Sequence, residues 1–419
     1  MDDLDLTPWE GLDAGSESGG RVAHPRAGRL LPSFGGYRTF EPIGLPPSDP
    51  PVDLGALAPR IASASLALGR LDGLSTLVPS SDLFVAMFIR KEAVLSSRIE
   101  GTQATLDDVL RHEAPGSAPA ATPGASTDDS LLEDVESVFS YIAAMNEALR
   151  ALRDGKRLSL DLVLRAHATL MQSAPGGDSH ARSKPGKVRT TQNWISASGS
   201  SGSVHDAIFI PPSPDTVQRH LDDLFAFVRV AETSQLPTLV RAGIAHAQFE
   251  TIHPFLDGNG RIGRLLITLM LVSEGALREP LLYLSAFLTK HKPDYYARLT
   301  SIRERGEWES WLSFFLRGVE EVANDACATA ARIPALLDAH RALVEDNLAS
   351  KPSAKRLVDA LARRPIVTVK AIADMLDVTI PTANTLAADF ESLGILQEIT
   401  GKQRDRVFRY GEYLRVLGE

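Results

Sequence analysis

A three-residue loop, Gly258-Asn259-Gly260, runs directly into an apolar stripe at Ile262, Leu265, Leu266, Leu269 and Met270. Those positions fall at i, i+3, i+4, i+7 and i+8, so the segment predicts a buried amphipathic helix whose first turn carries glycine and arginine. A helix that hides so wide a face needs other helices around it, and the chain supplies them. Phe84, Phe88, Leu95 and Ile99 share a second helical face, with Gly101 placed as the left-handed residue that stops it. Residues 131–152, 215–230 and 239–251 predict three more helices. Strand signals are scarce. Residues 187–195 and 207–210 flank the Ser/Gly stretch 196–203 and predict a β-hairpin or flap, which Pro211 and Pro212 then end. The expected class is mainly α with one small hairpin.

Composition divides the rest. Residues 1–40 are Gly- and Pro-rich with few apolar runs and read as a flexible N-terminal arm; 114–126 reads as a surface loop. After Ala349 the charge balance becomes near neutral against a chain total of −9. There, helices at 354–362, 369–376 and 382–393 precede strands at 395–400 and 407–410. Three helices followed by a hairpin is the order of a winged helix-turn-helix. The net charge excludes a generally basic nucleic-acid coat, and a single cysteine, Cys327, excludes an internal disulfide. Asp2, Asp3 and Asp5 are the wrong charge for a signal-peptide start, and no apolar run reaches a membrane span, so a cytoplasmic protein is expected.

The chemistry lies in I-H-P-F-L-D-G-N-G-R-I-G-R-L-L, residues 252–266. Gly258, Gly260 and Gly263 have G-x-G-x-x-G spacing, but no strand precedes them, so the dinucleotide fingerprint lacks its context. A polyphosphate reading explains more. The loop offers unpaired N–H groups at the positive end of a helix, and glycine lets the backbone approach an anion. Arg261 and Arg264, three apart on the first turn, reach the same anion. Asp257 is a hard carboxylate suited to Mg²⁺ held between protein and phosphates. His253 offers an imidazole able to take a proton from a hydroxyl. Together these are the parts of a phosphoryl or nucleotidyl transfer site. The spacing of His246, Glu250 and His253 does not suit zinc.

The segment resembles the Fic-family signature H-x-F-x-[D/E]-G-N-G-R-x-x-R at every defined position: His253, Phe255, Asp257, Gly258, Asn259, Gly260, Arg261 and Arg264. The likeness continues through H-A-Q-F-E-T-I, V-R-T-T-Q-N-W-I, P-L-L-Y-L-S and W-E-S-W-L-S-F-F-L, and upstream through E-A-V-L-S-S-R-I-E-G-T, covering roughly residues 40 to 320. It implies a Fic-fold helical core with a C-terminal winged helix, and transfer of AMP from ATP to a Ser, Thr or Tyr hydroxyl of a protein. By position it makes His253 the general base, Asp257 the Mg²⁺ ligand and Gly258, Asn259 and Gly260 the anion hole. Arg261 would meet the β-phosphate region and Arg264 the γ-phosphate, with Phe255 as a core anchor. Thr191, Gln192, Asn193 and Trp194 would form a flap that docks the target backbone.

Ser96 and Glu100, in S-x-x-x-E-G, resemble the family's inhibitory motif in the subgroup where it precedes the catalytic one. The implied brake is Glu100 paired with Arg264, on the cation meant for the γ-phosphate. The expected domains are the arm (1–40), an N-terminal helical region with the inhibitory helix (41–155), the catalytic core (156–320), a linker helix (321–352) and the winged helix (353–419). Two other readings stay open: a DNA-binding regulator whose core only senses ATP, and an enzyme that also removes AMP. The expected recognition helix has no Lys or Arg, so DNA and protein contact stand level, with Lys402, Arg404 and Arg406 on the wing. A homodimer is a further partner that the resemblance leaves open.

Overall fold

The computed structural model describes residues 22–33, 35–75, 81–113, 129–172, 184–196, 203–229 and 234–417. At its centre α7 (Thr238–Ile252) is buried at every position after the first. Packed against it is α8 (Asn259–Ser273), the helix expected from the apolar stripe. The two approach closely at Gly263: a methyl built there would overlap Glu250, with Phe249 and His246 also in contact. Helix packing, not a dinucleotide, therefore accounts for the third glycine. Around this pair lie α1 (Leu54–Ser75), α2 (Ser81–Ile99), α3 (Leu106–Glu113), α4 (Asp129–Arg153), α5 (Leu160–Leu170) and α6 (Pro214–Arg229). The ring closes with α9 (Ser285–Lys290), α10 (Lys292–Arg305) and α11 (Trp308–Leu348). Trp308 and Trp311 of α11 are almost wholly buried, and Trp311 donates from its indole to Gly243 O at 2.9 Å.

Three expectations differ from this structure. The first concerns the arm: residues 1–21 lie outside the described residues, but the chain beyond them is folded. Strands β1 (Gly28–Pro32) and β2 (Arg38–Pro42) form an antiparallel hairpin with Leu30 opposite Phe40. It is anchored by Arg26, 8% exposed, whose guanidinium is bidentate to Glu309 and also donates to Gly306 O. Glycine and proline at the strand ends mask a hairpin whose burial comes from distant parts of the chain. The second is the flap, which is shorter than expected: β3 (Ile195–Ser196) pairs with β4 (Ala207–Phe209) across a bulge. Residues 187–194 form no strand because their polar groups are spent on a neighbouring loop, described below. Most of the Ser/Gly stretch, 197–202, and the loop at 114–126 lie outside the described residues. Third, the linker is not separate: α11 runs unbroken through 321–348 despite Pro334.

The C-terminal part holds α12 (Pro352–Arg363), β5 (Ile366–Thr368), α13 (Val369–Leu376), α14 (Ile380–Ser392), β6 (Gln397–Glu398), β7 (Val407–Arg409) and α15 (Gly411–Leu417). Its antiparallel sheet has the order β5-β7-β6. The three helices and two later strands follow the order read from sequence, with β5 and α15 in addition. Thr368 and Thr379 cap α13 and α14 through their hydroxyls. This part rests on the rest of the chain through Tyr410 with His340, Lys91 with Leu417 O at 2.9 Å, and Arg364 with Glu113 O at 3.2 Å. Among the described residues, no helix is long and apolar enough to cross a membrane.

Candidate active site

The loop between α7 and α8 is shaped by two left-handed residues. His253 ends α7 at φ 48°, and Gly258 opens α8 at φ 79°. Glycine meets the second at no cost; histidine at the first needs support from its surroundings. Asn259 supplies part of it, accepting from Phe255 N and donating to Phe255 O, both at 2.8 Å. Its side chain is thus committed within the loop, leaving its backbone N–H as what it offers an anion. Phe255 is fully buried and stacks on His167, ring centroids 3.7 Å apart. His167 accepts from Gly186 N at Nδ1, so its Nε2–H donates to Asp257 O at 3.1 Å. Burial pushes this ring down to about 4, keeping it neutral.

His253 itself is half-buried, and its Nδ1 has no hydrogen-bond partner. Burial, then Arg189 and Arg303, push its pKa down to about 4. At neutral pH the ring is a neutral acceptor of a proton. Asp257 is the exposed member, its side chain 60% accessible, 3.5 Å from Arg261 and capping Gly258 N. No group of three or more metal-ligating side chains occurs among the described residues.

Arg261 on the first turn of α8 and Arg264 on the second both point back to the N-terminal helices. Arg261 donates to Ser137 Oγ of α4 at 2.9 Å. Arg264, 3% exposed, donates from Nε to Ser96 Oγ at 2.8 Å and from Nη2 to Ser96 O at 2.9 Å and Glu100 Oε1 at 2.6 Å. Glu100 does not continue α2 but stands in the turn just past its end, before Gly101 at φ 111°. Burial works against both charges. Arg264, followed by Arg261 and Lys292, nonetheless holds the Glu100 carboxyl below its ordinary range, and Glu100 raises the guanidinium above its own. Helix α2 is fastened one turn before Ser96 by Glu92, which accepts from Ser285 N at 3.1 Å and Ser285 Oγ at 2.5 Å.

The structure therefore brings together His253, Phe255, Asp257, Gly258, Asn259, Gly260, Arg261 and Arg264 with Ser96 and Glu100. Of the flap residues, Trp194 is 36% exposed and Thr191 is exposed. Gln192 donates to Asn193 O and Pro211 O, and Asn193 faces inward, donating to His253 O at 3.1 Å and Phe255 O at 2.8 Å. Sequence reasoning missed His167, Ser137, Lys292 and Arg189. Arg189 stood in the V-R-T-T segment as part of a likeness, with no local pattern to say that it folds onto the loop.

The comparisons with known proteins agree with this geometry. Residues 58–150 match the model of the Fic/DOC family N-terminal region and residues 157–271 that of the Fic/DOC family itself. The protein adenylyltransferase fic-1 of Caenorhabditis elegans is 29% identical over 140 residues, 32% of this chain and 24% of that protein. The protein adenylyltransferase Fic of Nematostella vectensis is 24% identical over 244 residues, 57% of this chain and 49% of that one. The chain thus spans a quarter to a half of these curated relatives. A crystal structure of a Fic family protein from Desulfovibrio desulfuricans G20 superimposes with a TM-score of 0.50 at 19% identity, covering 86% of this chain and 97% of that one, a likeness of fold alone. The first family region contains Ser96 and Glu100, the second contains the whole loop from His253 to Arg264, and on these grounds the chain belongs to the Fic/DOC family.

Proposed function

We propose that this protein is a nucleotidyltransferase that moves AMP from ATP to a hydroxyl side chain of a protein, and that it rests in a self-inhibited state. The observation that carries the reading is Arg264: a buried guanidinium beside a glycine anion loop, held by Ser96 and Glu100. In the reaction, His253 takes the proton of the incoming Ser, Thr or Tyr hydroxyl. The oxygen attacks the α-phosphorus, the bond to the β-phosphate oxygen breaks, and pyrophosphate leaves. The backbone N–H groups of Asn259 and Gly260 and the guanidinium of Arg261 stabilise the charge on the phosphates, while that of Gly258 is held by Asp257. Asp257, one exposed carboxylate at the loop rim, fits a Mg²⁺ that keeps most of its ligands as water and phosphate, and such an ion supplies charge neutralisation. Thr191, Gln192 and Trp194 serve the target's backbone at the flap, whereas Asn193 serves the loop.

With Glu100 on Arg264, the γ-phosphate lacks its cation, and ATP settles in a geometry unfit for attack. Purified protein incubated with Mg²⁺ and α-labelled ATP tests this beside Glu100→Gly and Glu100→Gly/His253→Ala. Label on the Glu100→Gly protein alone is expected. Equal labelling of wild type and Glu100→Gly removes the brake, and label surviving His253→Ala removes the base. Removal of AMP by water at the same site is examined by loading the protein and following release.

The C-terminal part is read as a winged helix. Its exposed Thr382 and Thr385 and the wing residues Lys402 and Arg404 are its contact groups, and Arg406 ties wing to helix through Asn384 Oδ1 at 3.0 Å. The rival class, a DNA-binding regulator with an ATP-sensing core, requires retarded migration of a defined DNA and no labelled protein. Dimer formation is tested by the mass of the protein in solution.

A further inference from the structure

Helix α7 ends at a residue whose backbone is left-handed and whose side chain is the proposed base. Its last carbonyls have no partner within the helix. Arg189, 2% exposed, fills that role from a distant segment. Its Nε donates to His253 O at 2.9 Å, and its Nη2 donates to Pro212 O at 2.6 Å and Ile252 O at 3.4 Å. Its own backbone N–H donates to Pro254 O at 2.9 Å. Four residues on, the Asn193 amide donates to His253 O and Phe255 O. Five donations thus converge on the main chain of 252–255, and all come from the segment that leads into the flap. A buried guanidinium at a helix C-terminus also suits the negative end of the dipole.

We propose that Arg189 is a positioning residue for AMP transfer: its fork fixes the backbone of His253 and ties the base to the flap, so that base and docked target keep one geometry. Ordinary packing does not explain the arrangement, because a buried cation with no carboxylate partner among its hydrogen bonds is costly unless its charge is used. Here it is used twice, as a cap and as a cation beside the imidazole. The charged groups around His253 are Arg189 from the flap lead-in, Arg303 from α10 and Glu100 after α2, with the backbone of Glu250 one turn back on α7. Burial does most to keep the ring deprotonated and the two arginines add to it, while Glu100 and the Glu250 backbone oppose them.

The inference rests on His253 being the base, and the test separates the two. Arg189→Lys and Arg189→Met are made in the full-length Glu100→Gly protein and compared with Glu100→Gly/His253→Ala. Arg189→Met is expected to lower kcat by about a hundredfold or more with the KM for ATP within about threefold, since a misplaced base costs the chemical step and not ATP binding. The acid limb of its pH–rate profile rises toward an ordinary histidine. Arg189→Lys keeps the charge and loses the fork, so the limb stays low while kcat recovers little. The same titration, read from the His253 ring resonances by NMR, requires no turnover. Asn193→Ala serves as a second variant if Arg189→Met does not fold: kcat falls and the limb stays put. An Arg189→Met protein with kcat within threefold of its parent, or with the His253 titration unmoved, overturns the proposal. Unchanged labelling in the His253→Ala protein sinks the base assignment instead.

Discussion

Substituting Glu92 by glutamine should change how many protons the protein exchanges when it unfolds, and by a countable amount. Three histidines, His167 and His246 fully buried and His253 half-buried, have pKa values pushed down to about 4, loss of water around the ring being the main cause in each. Two buried carboxyls, Glu92 and Glu250, are pushed up to about 7, again by burial. In the unfolded chain these groups return to roughly 6.5 and 4.3. At pH 5.5 each histidine therefore takes up about one proton on unfolding and each carboxyl releases about one, a net uptake of about one. His220, shifted downward by burial, adds to the uptake. Stability then rises with pH at about 1.4 kcal/mol per unit near pH 5.5 and flattens near pH 7, where the two contributions cancel. Glutamine mimics the protonated acid of Glu92, so it keeps an acceptor for Ser285 and leaves α2 seated. It also removes one release, raising the uptake at pH 5.5 from about one proton to about two. The count is read by adding denaturant to weakly buffered protein and back-titrating, which does not depend on two-state unfolding. A difference below about a third of a proton between wild type and Glu92→Gln would mean that Glu92 is ionised in the folded protein, and the reasoning fails.

Three further outcomes follow from the same contacts. Gly263→Ala drives a methyl into Glu250 between α7 and α8 and should cost about 1–3 kcal/mol, seen as a lower melting temperature with the fold retained. With His253 depressed to about 4, kcat/KM of the Glu100→Gly protein should hold level from pH 8 down to about 5, and an acid limb centred near 6.5 contradicts the environment described for that ring. Phe255→Ala removes a fully buried ring and the stacking partner of His167. It should cost about 3–5 kcal/mol by thermal melting and abolish labelling even without Glu100.

What the sequence carried follows from how local each signal is. The stripe from Ile262 to Met270 needed only the helical period, and α8 lies over it. The hairpin of β1 and β2 had no such signal, because its stability depends on Arg26 reaching Glu309, 283 residues further along the chain. The same division holds inside the site. The loop from His253 to Arg264 is contiguous, so glycine spacing and paired arginines express its chemistry in one stretch. Its supports are scattered: His167 on α5, Ser137 on α4 and Arg189 before the flap. Each is a polar group whose meaning is a buried partner far off in sequence, and a one-dimensional pattern holds no record of that partner. The proposed brake lies between these cases. Ser96 and Glu100 are spaced as on one helix face, yet Glu100 reaches Arg264 only because α2 stops at Ile99 and the chain turns through Gly101. Glycine there sets the direction of the carboxylate, so lengthening the helix by replacing Gly101 should weaken the pair with Arg264 without touching either partner.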